Sequence, residues 1–168
     1  MKGDKREVRF RDWNNLRFLF RGIEKYAPWV GKVHFVTCGH APEWLNLEAP
    51  KLHFVKHADF IPAEYLPTFN SNPIEMNIHR IKGLSDHFIY FNDDTFLIDH
   101  VVEERFFRDG LPCDIAALNA MQPNNSGIDH IICNDLIVIN KYFPKKDLLK
   151  RHLGKWLNVR YASQWYRT

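Results

Sequence analysis

Apolar residues recur along this chain in two rhythms. From Leu16 to Tyr26 they return every three or four positions, with Leu16, Leu19, Phe20, Ile23 and Tyr26 on one face and Arg17, Arg21 and Glu24 on another. That period predicts an amphipathic helix, with Asp12 as its N-cap and Pro28 as its stop. Short β-branched and aromatic runs come next and predict buried strands: Val33–Thr37, ending at Cys38-Gly39-His40, and Leu52–Val55, after a Trp44-Leu45 anchor and Pro50. A polar loop through Asp59, Pro62 and Pro67 leads to Asn72-Pro73, a helix start with Asn72 as cap. Ile74, Ile78 and Ile81 form that helix's buried stripe, with Glu75 and His79 one turn apart beside it and Arg80 on the far flank. Gly83 ends it, and Phe88–Phe91 reads as a third buried strand. Beyond, the pattern predicts a short helix over Val101–Phe107, a strand over Asp114–Leu118, an apolar helix or strand pair over Ile128–Ile139, and a basic amphipathic helix over Lys146–Leu157. Helical and strand patterns in alternation predict an α/β layer structure with Val33–Thr37, Leu52–Val55 and Phe88–Phe91 in one sheet. Neither an internal repeat nor a low-complexity linker interrupts it, so residues 1–168 read as a single domain.

The Phe88–Phe91 run breaks abruptly into Asn92-Asp93-Asp94 before apolar chain resumes at Phe96. Adjacent carboxylates at the end of a buried strand are costly unless a cation sits there. The carboxyl edge of an open α/β sheet is also where ligands bind. Hard oxygen ligands suit Mg²⁺ or Mn²⁺, ions that commonly bring substrate phosphates with them. A plain strand-end turn is the alternative, because Asn and Asp are ordinary turn residues.

Composition narrows the class. The chain has 168 residues, 45% of them hydrophobic and 26% charged, an ordinary globular balance. Aromatic residues reach 14%, which suits a heavy core or a sugar-facing surface. No run is long enough for a transmembrane segment, and the N-terminus has no signal-peptide pattern. Cys38, Cys113 and Cys133 are widely spaced and odd in number, so neither a disulfide framework nor a CxxC metal site is indicated, and the protein reads as reducing and cytoplasmic. Net charge is +3, yet from Lys141 onward Lys and Arg outnumber the single acid, Asp147. This basic end suits a solvated helix face, or peripheral contact with a membrane surface or a phosphorylated substrate. No nucleic-acid-binding motif accompanies it, and no nucleic-acid partner is expected.

Several stretches in order carry a family resemblance. They are Arg9-Phe10-Arg11-Asp12 with Leu16-Arg17 and Arg21–Trp29, then Val36-Thr37, Pro42 with Trp44–Leu47, and Leu66–Ser71. Ile74-Glu75, Ile78–Ile81 and Gly83–Ser85 follow, closing with Phe88–Asp94. Together they resemble the second conserved region of the Stealth proteins. These are bacterial capsular polysaccharide phosphotransferases, similar to the catalytic part of the animal N-acetylglucosamine-1-phosphotransferase of lysosomal enzyme tagging. The resemblance implies a GT-A-like (Rossmann-like) mixed sheet flanked by helices, a nucleotide-diphosphate-sugar donor and a polysaccharide acceptor. It implies transfer of the sugar with its attached phosphate to an acceptor hydroxyl, releasing nucleoside monophosphate, with Asp93 and Asp94 holding metal or orienting the acceptor. Family members usually also carry an earlier Trp-Val-Asp-Gly type region and later regions, one of them histidine-bearing. The chain is therefore expected to be an incomplete domain with little activity alone. Asn15 stands where the family often has an acid, Cys38 where Asp or Asn is common, and Gly22 where Ser is common.

The remaining candidates each have two readings. Arg9, Arg17 and Arg21 could hold phosphate, as the planar guanidinium suits, or sit on the surface or pair with Asp12 or Glu24; the functional reading is placed on Arg9 and Arg17. His79 could relay a proton or, with Arg80, bind phosphate beside the acidic motif, or make a structural hydrogen bond. Asn70 and Ser71 could touch sugar hydroxyls or serve as loop and cap. Trp29, Trp44 and Phe69 read as core, and Asn134-Asp135 as a surface or cap feature. Two rival functions stand beside phosphotransfer: an ordinary metal-dependent GT-A glycosyltransferase, which releases nucleoside diphosphate, and a non-catalytic nucleotide-sugar-binding fragment.

Overall fold

The computed structural model describes residues 13–113, 128–151 and 153–156. Contacts group the chain into two compact units, Met1–Cys113 and Asp114–Thr168. Arg9 and Asp12, and the strand expected at Asp114–Leu118, lie outside the described residues.

In the first unit, helix α1 spans Leu16–Tyr26 and buries Leu19 and Gly22, with Leu16, Phe20, Ile23 and Tyr26 half-buried on the expected face. The Asn15 carbonyl accepts the Phe18 amide at 2.8 Å, and the Asn15 side chain itself makes no cap bond. At the other end Pro28 cannot donate the next helical bond, and the last one runs from the Ala27 amide to the Ile23 carbonyl. Strands β1 (Val33–Thr37) and β2 (Leu52–Lys56) pair in parallel, Val33 opposite Leu52 and Thr37 opposite Lys56. Because side chains alternate across a strand, this pair has two working faces. Phe35 meets Phe20 of α1 edge-on at 5.5 Å. Val36 and Val55 face the other way, into a core of Val55, Phe60, Ile61 and Ile81. Ile74 and Ile78 pack against that core from helix α2 (Ser71–Asn77) and the 3₁₀ turn Ile78–Arg80. The three isoleucines share the core, but the α-helix expected up to Gly83 ends at Asn77, and Ile81 follows the 3₁₀ turn. The cap is Asn70 rather than Asn72: Asn70 Oδ1 accepts the Asn72 amide at 3.1 Å. Pro73 consequently lies within the first turn, where amides have no helical acceptor to lose.

The expected three-stranded sheet is not formed. Among the described residues β1 and β2 make a two-stranded sheet, and Phe88–Phe91 is irregular chain with Phe88 43% and Tyr90 48% exposed. An apolar run becomes a strand only when a neighbour accepts its ladder bonds, and no described segment pairs with this one. The second sheet is a small antiparallel hairpin, β3 (Phe107–Arg108) and β4 (Leu111–Pro112). Its turn places Asp109 and Gly110 at φ 52° and 73°, the left-handed pair that an Asp-Gly hairpin turn requires. Of the short helix expected over Val101–Phe107, a 3₁₀ turn at Glu103–Arg105 remains, since Phe107 enters the hairpin.

In the second unit the open choice between helix and strand pair resolves to helix α3 (Ile128–Tyr142), which exposes Ile131, Ile137, Val138 and Ile139. The basic stretch forms α4 (Lys145–Arg151) and α5 (Leu153–Trp156). Asn134 and Asp135 are exposed on α3, away from its ends, with Asn134 Nδ2 3.3 Å from His130 Nε2. No helix among the described residues is long and apolar enough to cross a membrane. Among the described residues the architecture is mixed: helices with two small sheets, within the α/β class.

Candidate functional site

Asp93 and Asp94 occupy an exposed turn closed by the Thr95 amide on the Asn92 carbonyl at 3.1 Å. They do not follow a buried strand; helices hold the chain on either side of them. Upstream, the Tyr90 hydroxyl donates to Glu75 Oε1 of α2 at 3.3 Å. Downstream, Leu97 lies against α1 so closely that a Cβ at Gly22 would stand 3.0 Å from the Leu97 carbonyl oxygen. Further along, the Val101 amide donates to the Tyr26 carbonyl at 3.0 Å. The Trp29 indole N–H returns a 2.7 Å bond to the Val101 carbonyl.

Electrostatics link the same groups. The Tyr90 phenol is pushed above its ordinary value, first by burial, then by the charge of Glu75 and its hydrogen bond, then by Asp93 and Asp94. Each carboxylate disfavours a phenolate nearby, so Tyr90 is held as a neutral donor. Glu75, Tyr90, Asp93 and Asp94 thus form one electrostatic neighbourhood. The local sequence pattern assigns no role to Glu75 or Tyr90. The available signal was a lone hydroxyl in an apolar run, since a Tyr in such a place seeks a hydrogen-bond partner.

The other candidates distribute unevenly. His79 and Arg80 are exposed on the turn after α2, and among the described residues no hydrogen bond or ion pair joins them to Asp93 or Asp94. Asn70 performs its capping role, and Ser71 is exposed as the first residue of α2. Arg17 places its guanidinium 5.6 Å from the centre of the Trp44 ring. Its Nε is buried and has no hydrogen-bond partner among the described residues. A buried donor left unpaired is uncommon in a finished site. Trp44 itself is 40% exposed, and it meets Phe20 edge-on at 6.2 Å.

The donor set bears on the implied cation. Among the described residues no group of three or more His, Cys, Asp and Glu is placed to hold a metal. Asp93 and Asp94 offer hard carboxylate oxygens on open chain. That is the sparse set Mg²⁺ uses when water and substrate phosphates complete its coordination. The residues fit Mg²⁺ or Mn²⁺ in that mode and do not form an all-protein cage.

Body and turn together define an α/β protein that presents a carboxylate pair on a helix-held loop. Stealth protein CR2, conserved region 2, matches residues 9–113. The chain belongs to the Stealth family. It is 46% identical over 157 residues, 94% of its length, to the capsular polysaccharide phosphotransferase WcwK of Streptococcus pneumoniae, of which this covers 47%. It is 44% identical over 155 residues to the capsular polysaccharide phosphotransferase CpsJ of Streptococcus thermophilus, covering 92% of this chain and 65% of that one. With the exopolysaccharide phosphotransferase cps2G of Lactiplantibacillus plantarum it shares 45% identity over 156 residues, 92% of this chain and 46% of the relative. The chain thus spans about half the length of several curated relatives it matches.

Proposed function

We propose that this chain contributes the acidic-turn region of a phosphotransferase acting in capsular or exopolysaccharide synthesis. It would move a sugar 1-phosphate from a nucleotide-diphosphate-sugar to a saccharide hydroxyl. The observation that carries the reading is the 46% identity with a capsular polysaccharide phosphotransferase across 94% of the chain. We assign it a GT-A-like fold in which residues 1–168 serve a single catalytic domain at the cytoplasmic face of the membrane. The exposed basic residues Lys146, Lys150 and Arg151 of α4 would supply peripheral contact.

Phosphoryl transfer depends mainly on positioning and on neutralising charge. In this reading Asp93 and Asp94 hold Mg²⁺ or Mn²⁺, which when bound offsets charge on the donor phosphates. Arg17, with Arg9, binds phosphate through the guanidinium fork, and the unpaired Nε of Arg17 supports that role. His79 takes or relays the acceptor proton, Arg80 assists at phosphate, and Asn70 and Ser71 meet sugar hydroxyls.

The test is product analysis of the full-length enzyme with Mg²⁺, a nucleotide-sugar and a saccharide acceptor. Acceptor-dependent release of nucleoside monophosphate, abolished by Asp94→Asn with the fold intact, is the expected result. Release of nucleoside diphosphate would instead identify a glycosyltransferase. Donor binding without release of either would identify a binding module.

A further inference from the structure

The Phe88–Phe91 run leads directly into the carboxylate pair, yet no strand ladder among the described residues holds it. Among the described residues, hydrogen bonds from this run and from His87 just before it to the rest of the fold come from side chains. His87 Nε2 lies 2.9 Å from the Gly110 carbonyl oxygen at the start of the run, a distant anchor on the β3–β4 hairpin. Closer to the acids, the Tyr90 hydroxyl bonds Glu75 Oε1, across fifteen residues of sequence. Only Phe91 separates Tyr90 from Asn92, whose carbonyl closes the acidic turn.

We infer that the Glu75–Tyr90 hydrogen bond positions the acidic turn, so that Tyr90 and Glu75 are positioning residues for whatever Asp93 and Asp94 bind. Glu75 stands on α2, whose Ile74 packs on the core together with Ile78 just beyond it. The bond thus links the chain before the acidic turn to a helix that packs on the core. On the other side Leu97 is fixed against Gly22, so the turn is held between α1 and α2. At 3.3 Å the bond is long. It trims the mobility of the turn and does not decide whether the unit folds. Its consequence for binding rests on the proposed metal role of Asp93 and Asp94.

The experiment compares wild type with Tyr90→Phe, Glu75→Ala, Glu75→Gln and Asp94→Asn, all in the intact chain. The first readout needs no metal: native-state amide exchange at Thr95, protected by the Asn92 carbonyl. Loss of one such hydrogen bond should speed it about three- to tenfold in Tyr90→Phe and Glu75→Ala. Glu75→Gln keeps an oxygen acceptor and should stay near wild type. The urea midpoint should fall by the same free energy, about 0.3–0.7 M, in Tyr90→Phe and Glu75→Ala and stay near wild type in Glu75→Gln, with cooperative unfolding throughout. The second readout is Mn²⁺ affinity, expected to weaken about tenfold with loss of the tether, the scale seen when a supporting hydrogen bond behind a ligand is removed. Unchanged Thr95 exchange in both Tyr90→Phe and Glu75→Ala overturns the inference. So does faster exchange with wild-type Mn²⁺ affinity. Mn²⁺ binding that ignores Asp94→Asn would overturn the metal reading instead, and Thr95 exchange alone would then decide the tether.

Discussion

Truncating Ile81 to alanine tests how this small body is held together. Ile81 is 5% exposed and belongs to the buried cluster with Val55, Phe60 and Ile61. It follows the 3₁₀ turn that carries His79 and Arg80, and its amide bonds the Ile78 carbonyl at 2.9 Å. The substitution removes the carbons beyond Cβ, each worth about 0.8 kcal/mol of burial, or about 2.4 kcal/mol together. The cavity left behind adds to that, so about 3 kcal/mol is expected, inside the usual span of roughly 2–5 kcal/mol. The core cluster is small, so this loss should be a large share of a total stability of about 5 kcal/mol. Ile81→Val, which trims one methyl group, should cost about 1 kcal/mol. Urea denaturation followed by tryptophan fluorescence measures both. With a slope of about 2 kcal/mol per molar, Ile81→Ala should lower the midpoint by roughly 1.5 M. A loss below about 1 kcal/mol with an unchanged slope would mean that this cluster is not the cooperative core. Something other than this cluster would then fix α2.

Two further outcomes follow from side chains outside that core. Arg17→Met keeps an unbranched stem beside Trp44 while removing a buried donor that has no partner among the described residues, so stability should change by less than about 0.5 kcal/mol; in the proposed phosphate-binding role, donor affinity of the full-length enzyme, measured by calorimetry, should weaken about tenfold. The His34 and His53 Nδ1 atoms lie 2.9 Å apart across the β1–β2 pair, and burial, then His53, then Lys32 lower the pKa of His34 from 6.5; the unfolded chain then binds more protons, so stability should be full above about pH 6.5, fall as pH drops below it, and fall less steeply in His34→Gln, as read by urea midpoints from pH 8 to 5.

What the sequence made legible was whatever a single element settles alone. Leu19 on α1 and Ile81 beyond α2 are buried, and Leu16, Phe20, Ile23, Ile74 and Ile78 are half-buried on the faces their spacing named. A period of three to four residues fixes a face, and a face must be covered. The β1 and β2 runs were equally plain, bounded by turns and rich in β-branched and aromatic side chains. Phe88–Phe91 has the same composition and no strand, because a strand depends on its neighbours while a helix closes its own bonds. The displaced cap has a similar origin. Asn70 and Asn72 are both good cap residues, and choosing between them depends on how the preceding loop approaches the helix. The Glu75–Tyr90 bond was out of reach, since nothing in either residue's local pattern names the other.

The charge around the acidic turn has a further implication. Glu75, Asp93 and Asp94 all bear on Tyr90, and like charges gathered this way repel one another. In a buried site that repulsion would demand a permanent counter-ion. Here both aspartates are exposed, so water screens them and the turn can persist without a cation. Sparse ligands with little stored repulsion give weak affinity for a bare divalent ion. Phosphate oxygens that complete the coordination raise that affinity, and by linkage the ion raises affinity for the phosphate equally. In the proposed metal role, an exposed carboxylate pair on a tethered turn would favour capture of ion and donor together, and the tether to α2 would matter most at that moment. A loose turn would have to lose its freedom in the same step, and the ordering cost would come directly out of donor affinity.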